Sequence, residues 1–540
     1  MNSAISISSI RSLPGLAWQD EGSGVHFTED EIRNVLLDLA RPVWAVEEQG
    51  RLGFASGGKV ATDGQGLGIL GLAPALPITG LGDQAFCKTY GTPYAYYTGA
   101  MASGIASEDL VIAMGKAGFL SSFGAGGLSP ARVEAAIQKI KAALPDGPYA
   151  FNLLNSPNEP ATEQKAVDLY LKYQIRAVEA SAYLAMTAPL VQYRVAGLSQ
   201  GPDGQVVIGN RVIGKLSRLE MAQKFLEPAP ADLLKTLLDE KKITPQQAEL
   251  AGRVPMADDI TVEADSGGHT DNRPLVGMLP AFLALRNQLQ EKYHFAQPVR
   301  VGAAGGIGTP DAALAAFMLG AAYVATGSIN QACVESGASE HTRNLLAQAD
   351  MPDVAMAPAG DMFEMGVRVQ VLKRGTMFAM RAQKLYELYT RYNAWEEIPQ
   401  AEREKLEKTV FKRDFDSIWA DTVKFFMERD PHQVERGNAY PKDKMALVFR
   451  WYLGLSSRWS ASGEKGREMD YQVWCGPSMG AFNNWVKGTY LEAPQNRHVV
   501  DIARQILQGC AYLYRVRSLE MQGVAFPACL RAYIPQQANS

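Results

Sequence analysis

Residues Val299 to Gly308 read VRVGAAGGIG, a short β-branched run that ends in glycines and precedes Thr309, Pro310 and Asp311. Glycines let backbone N–H groups approach a phosphate closely, Thr309 can cap a helix, and Pro310 suits the first helical position. The stretch therefore predicts a strand, a phosphate-binding turn and the start of a helix.

A second glycine turn follows one helix later in AYVATGSIN, where a strand runs into Gly327 and Ser328. Two successive strand ends that direct N–H groups toward one point are typical of the phosphate site of an eightfold β/α barrel. The plainer interpretation is that the glycines only make tight turns. A Rossmann site is a poor match, because no acidic residue ends a second strand about 20 residues later. We predict a (β/α)8 TIM barrel, of the α/β class, that binds a phosphorylated cofactor.

Composition limits the class of protein. The 540 residues exceed one ordinary domain, and a hydrophobic content of 47% is ample for a large core and a second unit. A net charge of -4 does not indicate binding to nucleic acid or to an anionic membrane surface. Residues 1–22 lack a sustained apolar run, and no stretch is apolar over the ~20 residues that a membrane span needs. We expect a cytoplasmic protein without a signal peptide or membrane anchor.

The five cysteines are widely spaced and form no CxxC motif, which fits reduced, mostly buried thiols. The six histidines form no HExxH or HxxxH pair. We therefore expect no metal site.

Three regions follow from the pattern along the chain. Residues 1–93 predict a small β-rich segment, with a hairpin of VWAVEE (Val43 to Glu48) and RLGFAS (Arg51 to Ser56). Residues 94–350 alternate strand and helix patterns, as a parallel barrel does. The eight predicted strands are Tyr96 to Met101, Gly118 to Ser122, Tyr149 to Leu153, Ala177 to Ala180, Val212 to Lys215, Ile260 to Ala264, Val299 to Ala303 and Tyr323 to Thr326.

The interval between the fifth and sixth strands is long and predicts a helical insertion at about residues 218–257. This insertion is either a lid or channel wall over the barrel mouth or a packing element. Residues 351–540 predict a helical C-terminal domain, which contains six of the eight tryptophans. A disordered tail would not carry so many.

His269 follows two glycines in the loop after the sixth predicted strand, at the barrel face that carries active sites. A lone histidine is more often structural. However, Gly267 and Gly268 would let a cofactor ring approach the backbone, and an imidazole exchanges protons near neutral pH. We predict a catalytic or substrate-orienting role for His269.

Other candidate positions lie at strand ends. Asn152 is inside the third strand, so it belongs either to a buried polar network or to a cofactor contact. Lys215 ends the fifth strand, where an inward lysine needs an anionic partner. Met101 and Ala102, at the end of the first strand, leave backbone groups free where a flat cofactor would lie.

Together these elements resemble the nitronate monooxygenase/2-nitropropane dioxygenase-like flavin barrels, which include FMN-containing enoyl-acyl carrier protein reductases. The resemblance covers about residues 94–350. Two longer motifs, EADSGGHTDNRP (Glu263 to Pro274) and MAPAGDMFEMGVRVQVLKRGTMF (Met356 to Phe378), are similar to the PfaD family of trans-acting enoyl reductases in polyunsaturated fatty acid and polyketide synthesis. One departure is Asp265-Ser266, where nitronate-oxidising relatives commonly have Glu-Ala, and this weakens the transfer of their oxidase chemistry.

The resemblance implies bound FMN and a set of residues around it. Catalytic roles are implied for His269 and Lys215. Cofactor contacts are implied for Met101, Ala102, Asn152, Lys215, Gly267, Gly268, Gly305, Gly306, Gly327 and Ser328. The implied reaction passes a hydride from NADPH or NADH through FMN to the β-carbon of an enoyl thioester on acyl carrier protein, while the α-carbon gains a proton.

Two other functions remain open from the sequence, a nitronate monooxygenase and a flavin-free scaffold subunit of a synthase complex. Acyl carrier proteins are acidic, so a basic segment could dock one. Such a segment is more often an ordinary solvated helix face. Its residues are Arg368, Lys373, Arg374, Arg381 and Lys384.

Overall fold

The computed structural model describes residues 15–156 and 160–537. Residues 1–14, which belong to the stretch examined for a signal peptide, lie outside the described residues. Eight parallel strands form a closed barrel in which each strand pairs with the next along the chain and the eighth pairs with the first. The strands are Tyr96–Thr98, Leu120–Phe123, Ala150–Leu154, Ala177–Ser181, Arg211–Leu216, Asp259–Glu263, Arg300–Ala304 and Val324–Thr326. The predicted barrel and its eight strands are confirmed, with ends that differ by a few residues.

Helices surround the barrel. They are Glu108–Lys116, Pro130–Ala143, Pro160–Lys172, Ala188–Ala196, Leu275–Tyr293, Pro310–Met318, Ser328–Gln331 and Glu340–Ala347. Local signals in the sequence start several of them: Thr309, for example, accepts a hydrogen bond from the N–H of Ala312, and Pro310 occupies the first turn. The glycine turn of the seventh strand is therefore followed directly by a helix, as predicted.

The N-terminal end of the barrel is closed by helix Gln84–Tyr90. Tyr90 donates a 2.6 Å hydrogen bond to the buried carboxylate of Asp259, which also pairs with Arg300 at 2.7 Å. Phe86 stacks on Tyr323 inside the barrel. Because these contacts fill the closed end of the barrel, the chemistry is left to the opposite, C-terminal face.

The N-terminal region forms a five-stranded antiparallel sheet. Its strands are Ala17–Gln19, Val43–Glu48, Arg51–Ser56, Lys59–Ala61 and Leu67–Ala73, and helix Glu29–Leu37 packs beside them. The predicted hairpin is present. Its turn residues Gln49 and Gly50 both have positive φ angles, as a tight two-residue turn requires.

The C-terminal region is mainly helical, as expected, but it begins with two strands that the sequence did not predict. Strand Val354–Pro358 pairs with Arg368–Leu372, which in turn pairs with Gly268–His269 in the loop after the sixth barrel strand. The helices that follow are Phe378–Arg391, Gln400–Leu406, Phe415–Arg429, Pro431–Ala439, Pro441–Ser462, Ser478–Val486 and Val499–Met521. A π-helical turn, Glu407–Phe411, continues the second of them.

The helical insertion is present as Leu219–Leu226, Ala231–Asp239 and Pro245–Ala251. No residue of 218–257 lines the cavity described below, which favours the packing element over the lid. The apolar faces of these helices pack instead on the outer barrel helices Ala188–Ala196 and Leu275–Tyr293. A short hairpin, Leu198–Gln200 with Val206–Ile208, lies next to the insertion.

Within the described ranges, no helix is both long enough and apolar enough to cross a membrane.

Candidate active site

A cavity of about 500 Å³ lies between the C-terminal face of the barrel and the helices Phe415–Arg429 and Pro441–Ser462. This volume is in the range of small-molecule sites. The structure brings every predicted site residue to this one cavity. They are Met101, Ala102, Asn152, Lys215, Gly267, Gly268, His269, Gly305, Gly306, Gly327 and Ser328.

The glycine turn after the seventh strand has two residues in the left-handed region, Gly305 at φ +80° and Gly306 at +74°. A Cβ at Gly305 would lie 2.6 Å from the carbonyl carbon of Ala264, so close backbone packing excludes any side chain there. A Cβ at Gly306 would meet nothing within 4 Å, and the same is true at Gly327 on the eighth strand. The two turns thus leave an open backbone cradle on the cavity wall, as a phosphate site requires.

Two polar side chains stand beside this cradle. Ser328 accepts a 3.0 Å hydrogen bond from the N–H of Gly476, which keeps its hydroxyl proton available for another acceptor. Gln331 is 2% exposed and lines the cavity, and its Nε2 has no hydrogen-bond partner in the described chain. A buried amide donor without an acceptor is costly. The cradle and the free donor fit a phosphorylated cofactor such as FMN.

Lys215 points into the barrel and is paired with two carboxylates. Its Nζ lies 3.3 Å from Oε1 of Glu179 and 3.4 Å from Oε1 of Glu263. Burial lowers the pKa of Lys215. The two carboxylates raise it by a larger amount, so the net pKa lies above the usual range for lysine. Glu179 is fully buried and also accepts a 2.8 Å hydrogen bond from the N–H of Ala100. The anionic partner that the sequence demanded for Lys215 is therefore supplied by the chain itself.

His269 is held by Asp361. Its Nε2 lies 3.2 Å from Oδ1 of Asp361, and the His269 side chain is 35% exposed toward the cavity. Burial lowers the pKa of the imidazole, whereas the charge and hydrogen bond of Asp361 raise it, and the net pKa is above the ordinary value for histidine. Asp361 shows the converse: burial raises its pKa, and His269 lowers it to a net value below normal. The pair favours a protonated imidazole.

The loop that carries His269 is fixed by the C-terminal region. Gln370 donates to Oδ1 of Asp265 at 2.7 Å and to the carbonyl of Ser266 at 2.8 Å. A Cβ at Gly267 would lie 2.7 Å from the backbone nitrogen of Cys475. Gly267 is thus required by backbone packing on the C-terminal region, while Gly268, at φ +82°, keeps open space on the cavity side.

Asn152 belongs to a buried polar network, one of the two alternatives left by the sequence, and it also lines the cavity. Its Nδ2 donates to the carbonyl of Glu179 at 3.1 Å and to Oγ of Ser181 at 2.8 Å. At the first strand, the turn of Met101 and Ala102 is held by hydrogen bonds to the backbone of residues 105 and 106. This leaves the turn as a firm edge of the cavity.

The basic segment is not one helix face. Arg368 lies on a strand and donates to Gln383, and Lys384 pairs with Glu402 at 3.0 Å. Arg381 pairs with Asp470, which is fully buried. The five residues lie on a strand, a turn and a helix, and Arg381 is a structural ion pair, so docking of a carrier protein on this segment stays a prediction. Arg374, by contrast, is half exposed beside Asp353.

Sequence reasoning missed several residues of the cavity. Asp361 stands inside the long motif that carried the resemblance, yet nothing local connects it with His269, 92 residues away. Glu179 could have been found, since it is the one charged residue in the buried strand AVEAS. No sequence motif indicated that residues between 421 and 458 would form a wall of the cavity. Among the described residues, no cluster of His, Cys, Asp and Glu could hold a metal ion.

Comparisons with known proteins agree with this geometry. A family model described as nitronate monooxygenase matches residues 94–387. A second, described as the N-terminal domain of fatty acid synthase subunit PfaD, matches residues 18–75. A third, described as the inserted helical domain of [acyl-carrier-protein] S-malonyltransferase, matches residues 392–471. The fold and the site define the class, a TIM barrel with a cavity and two open glycine turns at its C-terminal face.

The chain belongs to the nitronate monooxygenase family, in the group that carries a PfaD N-terminal domain. It is 52% identical over 446 residues to a polyunsaturated fatty acid synthase subunit of Thraustochytrium sp., covering 81% of this chain and 30% of that protein. It is 47% identical over 442 residues to polyketide biosynthesis protein PksE of Bacillus subtilis, covering 82% and 57%. The chain thus spans only part of the length of both relatives.

Among solved structures, the enoyl reductase domain of MlnA, from the macrolactin biosynthesis cluster of Bacillus amyloliquefaciens, has a TM-score of 0.78 and 41% identity to this chain. The match covers 82% of this chain and 99% of that domain.

Proposed function

We propose that this chain is an FMN-dependent enoyl reductase that uses NADPH or NADH to reduce enoyl thioesters on the acyl carrier protein of a polyketide or polyunsaturated fatty acid synthase. The observation that carries the proposal is the single cavity that unites the phosphate cradle, Lys215 and the His269–Asp361 pair. The similarity to a solved enoyl reductase domain over 99% of its length supports it.

Bound FMN would supply hydride transfer between the nicotinamide and the thioester. The residues that would hold its phosphate are Gly305, Gly306, Gly327 and Ser328, with Gln331 as a further donor. Met101, Ala102, Asn152, Gly267 and Gly268 would form the walls against the flavin ring and ribityl chain.

Lys215 would hold a fixed positive charge in the cavity. An ammonium group has three N–H donors. Glu179 and Glu263 lie within ion-pairing distance, and Lys215 lines the cavity, so its N–H donors can also serve a ligand. Two carboxylates and one ammonium leave the cluster with a net negative charge. Lys215 would therefore act through a directed hydrogen bond more than through an excess of positive charge.

His269 would deliver a proton to the substrate. Asp361 engages Nε2, so the proton that a protonated imidazole can give up is on Nδ1. The raised pKa favours the protonated form of His269. A donor of this kind matches the α-carbon of an enoyl thioester, which needs a proton once the β-carbon has accepted hydride.

The proposal is tested on the purified chain reconstituted with FMN. We expect one non-covalent FMN per chain and NAD(P)H oxidation that depends stoichiometrically on crotonyl thioester. Oxygen-dependent turnover of a nitronate without thioester reduction would identify a nitronate monooxygenase instead. A chain that cannot bind FMN would be a scaffold subunit.

The variant His269→Ala tests the assigned proton donor. It should retain FMN and accept hydride from NAD(P)H, but its reoxidation by the enoyl thioester should slow by about 10² to 10⁴. Stopped-flow absorbance follows each half-reaction separately. Unchanged reoxidation would remove His269 from the chemistry.

A further inference from the structure

Two arginines lie over one aromatic ring where the C-terminal helices line the cavity. Phe425 and Arg429 stand four residues apart on helix Phe415–Arg429, hence on the same face, and Arg458 comes from helix Pro441–Ser462. The guanidinium carbons of Arg429 and Arg458 lie 5.2 Å and 5.8 Å from the centroid of the Phe425 ring. All three residues line the cavity.

This arrangement places like charges close together. Burial lowers the pKa of the Arg458 guanidinium, and the positive charge of Arg429 lowers it further. Among the described side chains, no carboxylate lies within 4.0 Å of Arg458. Two neighbouring arginines do have such partners, since Arg413 pairs with Asp421 at 2.5 Å and Arg450 pairs with Glu364 at 3.1 Å. Arg458 is therefore held in a partly buried cationic site that an incoming anion would stabilise.

A guanidinium group presents N–H donors in a planar fork, which suits the oxygens of a phosphate, and a neighbouring aromatic ring stabilises the cation. Apolar residues line the same cavity, among them Trp451, Leu453 and Trp474. The cavity thus suits an elongated ligand with a phosphate at one end, a largely uncharged body and a reacting group near His269. The glycine cradle, which we propose holds the phosphate of FMN, is a separate part of the cavity on the barrel.

We propose that Arg458 and Arg429 bind the phosphate ester of the ligand that reacts in this cavity. This inference rests on the proposed function, which supplies two such ligands. One is the 4′-phosphopantetheine arm that carries an acyl thioester, and the other is the nicotinamide dinucleotide. Both present a phosphate ester on an extended molecule.

Calorimetric binding to the FMN-loaded protein tests the proposal without turnover. The ligands are 4′-phosphopantetheine, pantetheine and NADP⁺. For Arg458→Gln we expect about a 10-fold or greater loss of affinity for 4′-phosphopantetheine and no change for pantetheine. Arg458→Lys keeps the charge but not the planar fork, so its affinity for 4′-phosphopantetheine should lie between those of the parent protein and Arg458→Gln.

The control is Arg391→Gln. The guanidinium carbon of Arg391 also lies over an aromatic ring, 5.5 Å from the centroid of Tyr392, but neither residue lines the cavity. This variant should bind all three ligands like the parent protein. A loss confined to NADP⁺ in Arg458→Gln would keep the phosphate site and assign it to the hydride donor. Equal effects on 4′-phosphopantetheine and pantetheine together with unchanged NADP⁺ binding, or no effect on any ligand, would overturn the proposal.

The proposed function can fail independently. A protein that binds 4′-phosphopantetheine through Arg458 but reduces no enoyl thioester would refute the reductase and retain the phosphate site. The opposite outcome is a protein that reduces enoyl thioesters and whose KM values for the phosphorylated thioester and for NADPH are both unchanged by Arg458→Gln. It would support the reductase and refute the phosphate site.

Discussion

At the scale of single residues, Asp361 controls the proton affinity of His269. Asp361→Asn removes the larger of the two charges that raise the His269 pKa; Glu263 still raises it, whereas burial and Lys215 lower it. The imidazole should then lose its proton at lower pH, so the alkaline limb of the pH–rate profile should move to lower pH. At neutral pH the reoxidation step should slow by about 10-fold. Single-turnover rates across the pH range measure the shift.

Recovery of the rate at acidic pH separates this positioning role from general damage, because a misfolded site would not recover. Asp416→Asn is the control, since the Asp416 side chain is 91% exposed on the same C-terminal region and does not line the cavity. An unshifted profile in Asp361→Asn would mean that Asp361 does not tune His269.

Gln331 offers a second residue-scale prediction. Its buried Nε2 has no acceptor in the described chain and stands one helical turn after Gly327. Gln331→Met removes the donor and keeps the length, so FMN affinity should fall about 5- to 10-fold. The FMN affinity of Gln331→Glu should fall further, because a buried carboxylate repels a phosphate. Fluorescence titration of the apoprotein with FMN measures both. The control is Gln348→Met at an exposed position, which should leave FMN affinity unchanged. Equal affinities in all three variants would exclude Gln331 from the cofactor site.

At the scale of elements, the loop of His269 is the junction between the barrel and the strand Arg368–Leu372. Gly267 has an ordinary φ, so only the backbone of Cys475 forbids a side chain there. Gly267→Ala should therefore displace the loop, lower stability by about 1 to 3 kcal/mol and slow reoxidation. The midpoint of thermal unfolding and the stopped-flow rates measure the two effects.

Gly277→Ala is the matched substitution on the next helix, where a Cβ meets nothing within 4 Å. Alanine in an open helical position should be neutral or stabilise by less than about 1 kcal/mol. If the two alanine variants behave alike, the contact with Cys475 does not hold the loop.

At the scale of the whole molecule, the sequence predicted the features that depend on local sequence patterns. The glycine turns and the alternation of strands and helices determined the barrel, and the position of His269 after the sixth strand placed it in the cavity. Contacts between distant segments could not be predicted. Asp361 reaches His269 only through the pairing of three short strands, and Phe425 reaches the cavity only through helix packing. The role of the insertion stayed open because its apolar faces indicate packing but do not show which surface they pack on.

The two ends of the described chain also meet. Helix Val499–Met521 packs on the N-terminal sheet and on helix Glu29–Leu37. Arg515, fully buried on this helix, donates to the carbonyls of Leu36 at 3.1 Å, Asp38 at 2.8 Å and Arg41 at 2.5 Å. Burial lowers the pKa of Arg515 to about 10. These bonds fasten the N-terminal segment to a helix that also packs on the barrel helix Pro310–Met318.

Arg515→Met should therefore destabilise the protein by about 2 to 4 kcal/mol, because it leaves several buried carbonyls without a donor. The control, Arg517→Met, lies two residues further along the same helix and removes a half-exposed pair with Glu520, which should change stability by less than about 0.5 kcal/mol. Urea unfolding followed by tryptophan fluorescence compares the variants. Trp18 and Trp44 lie in the N-terminal sheet and report on its release. Equal midpoints for Arg515→Met and Arg517→Met would show that the sheet does not depend on this helix, and that the N-terminal segment is held by its own packing alone.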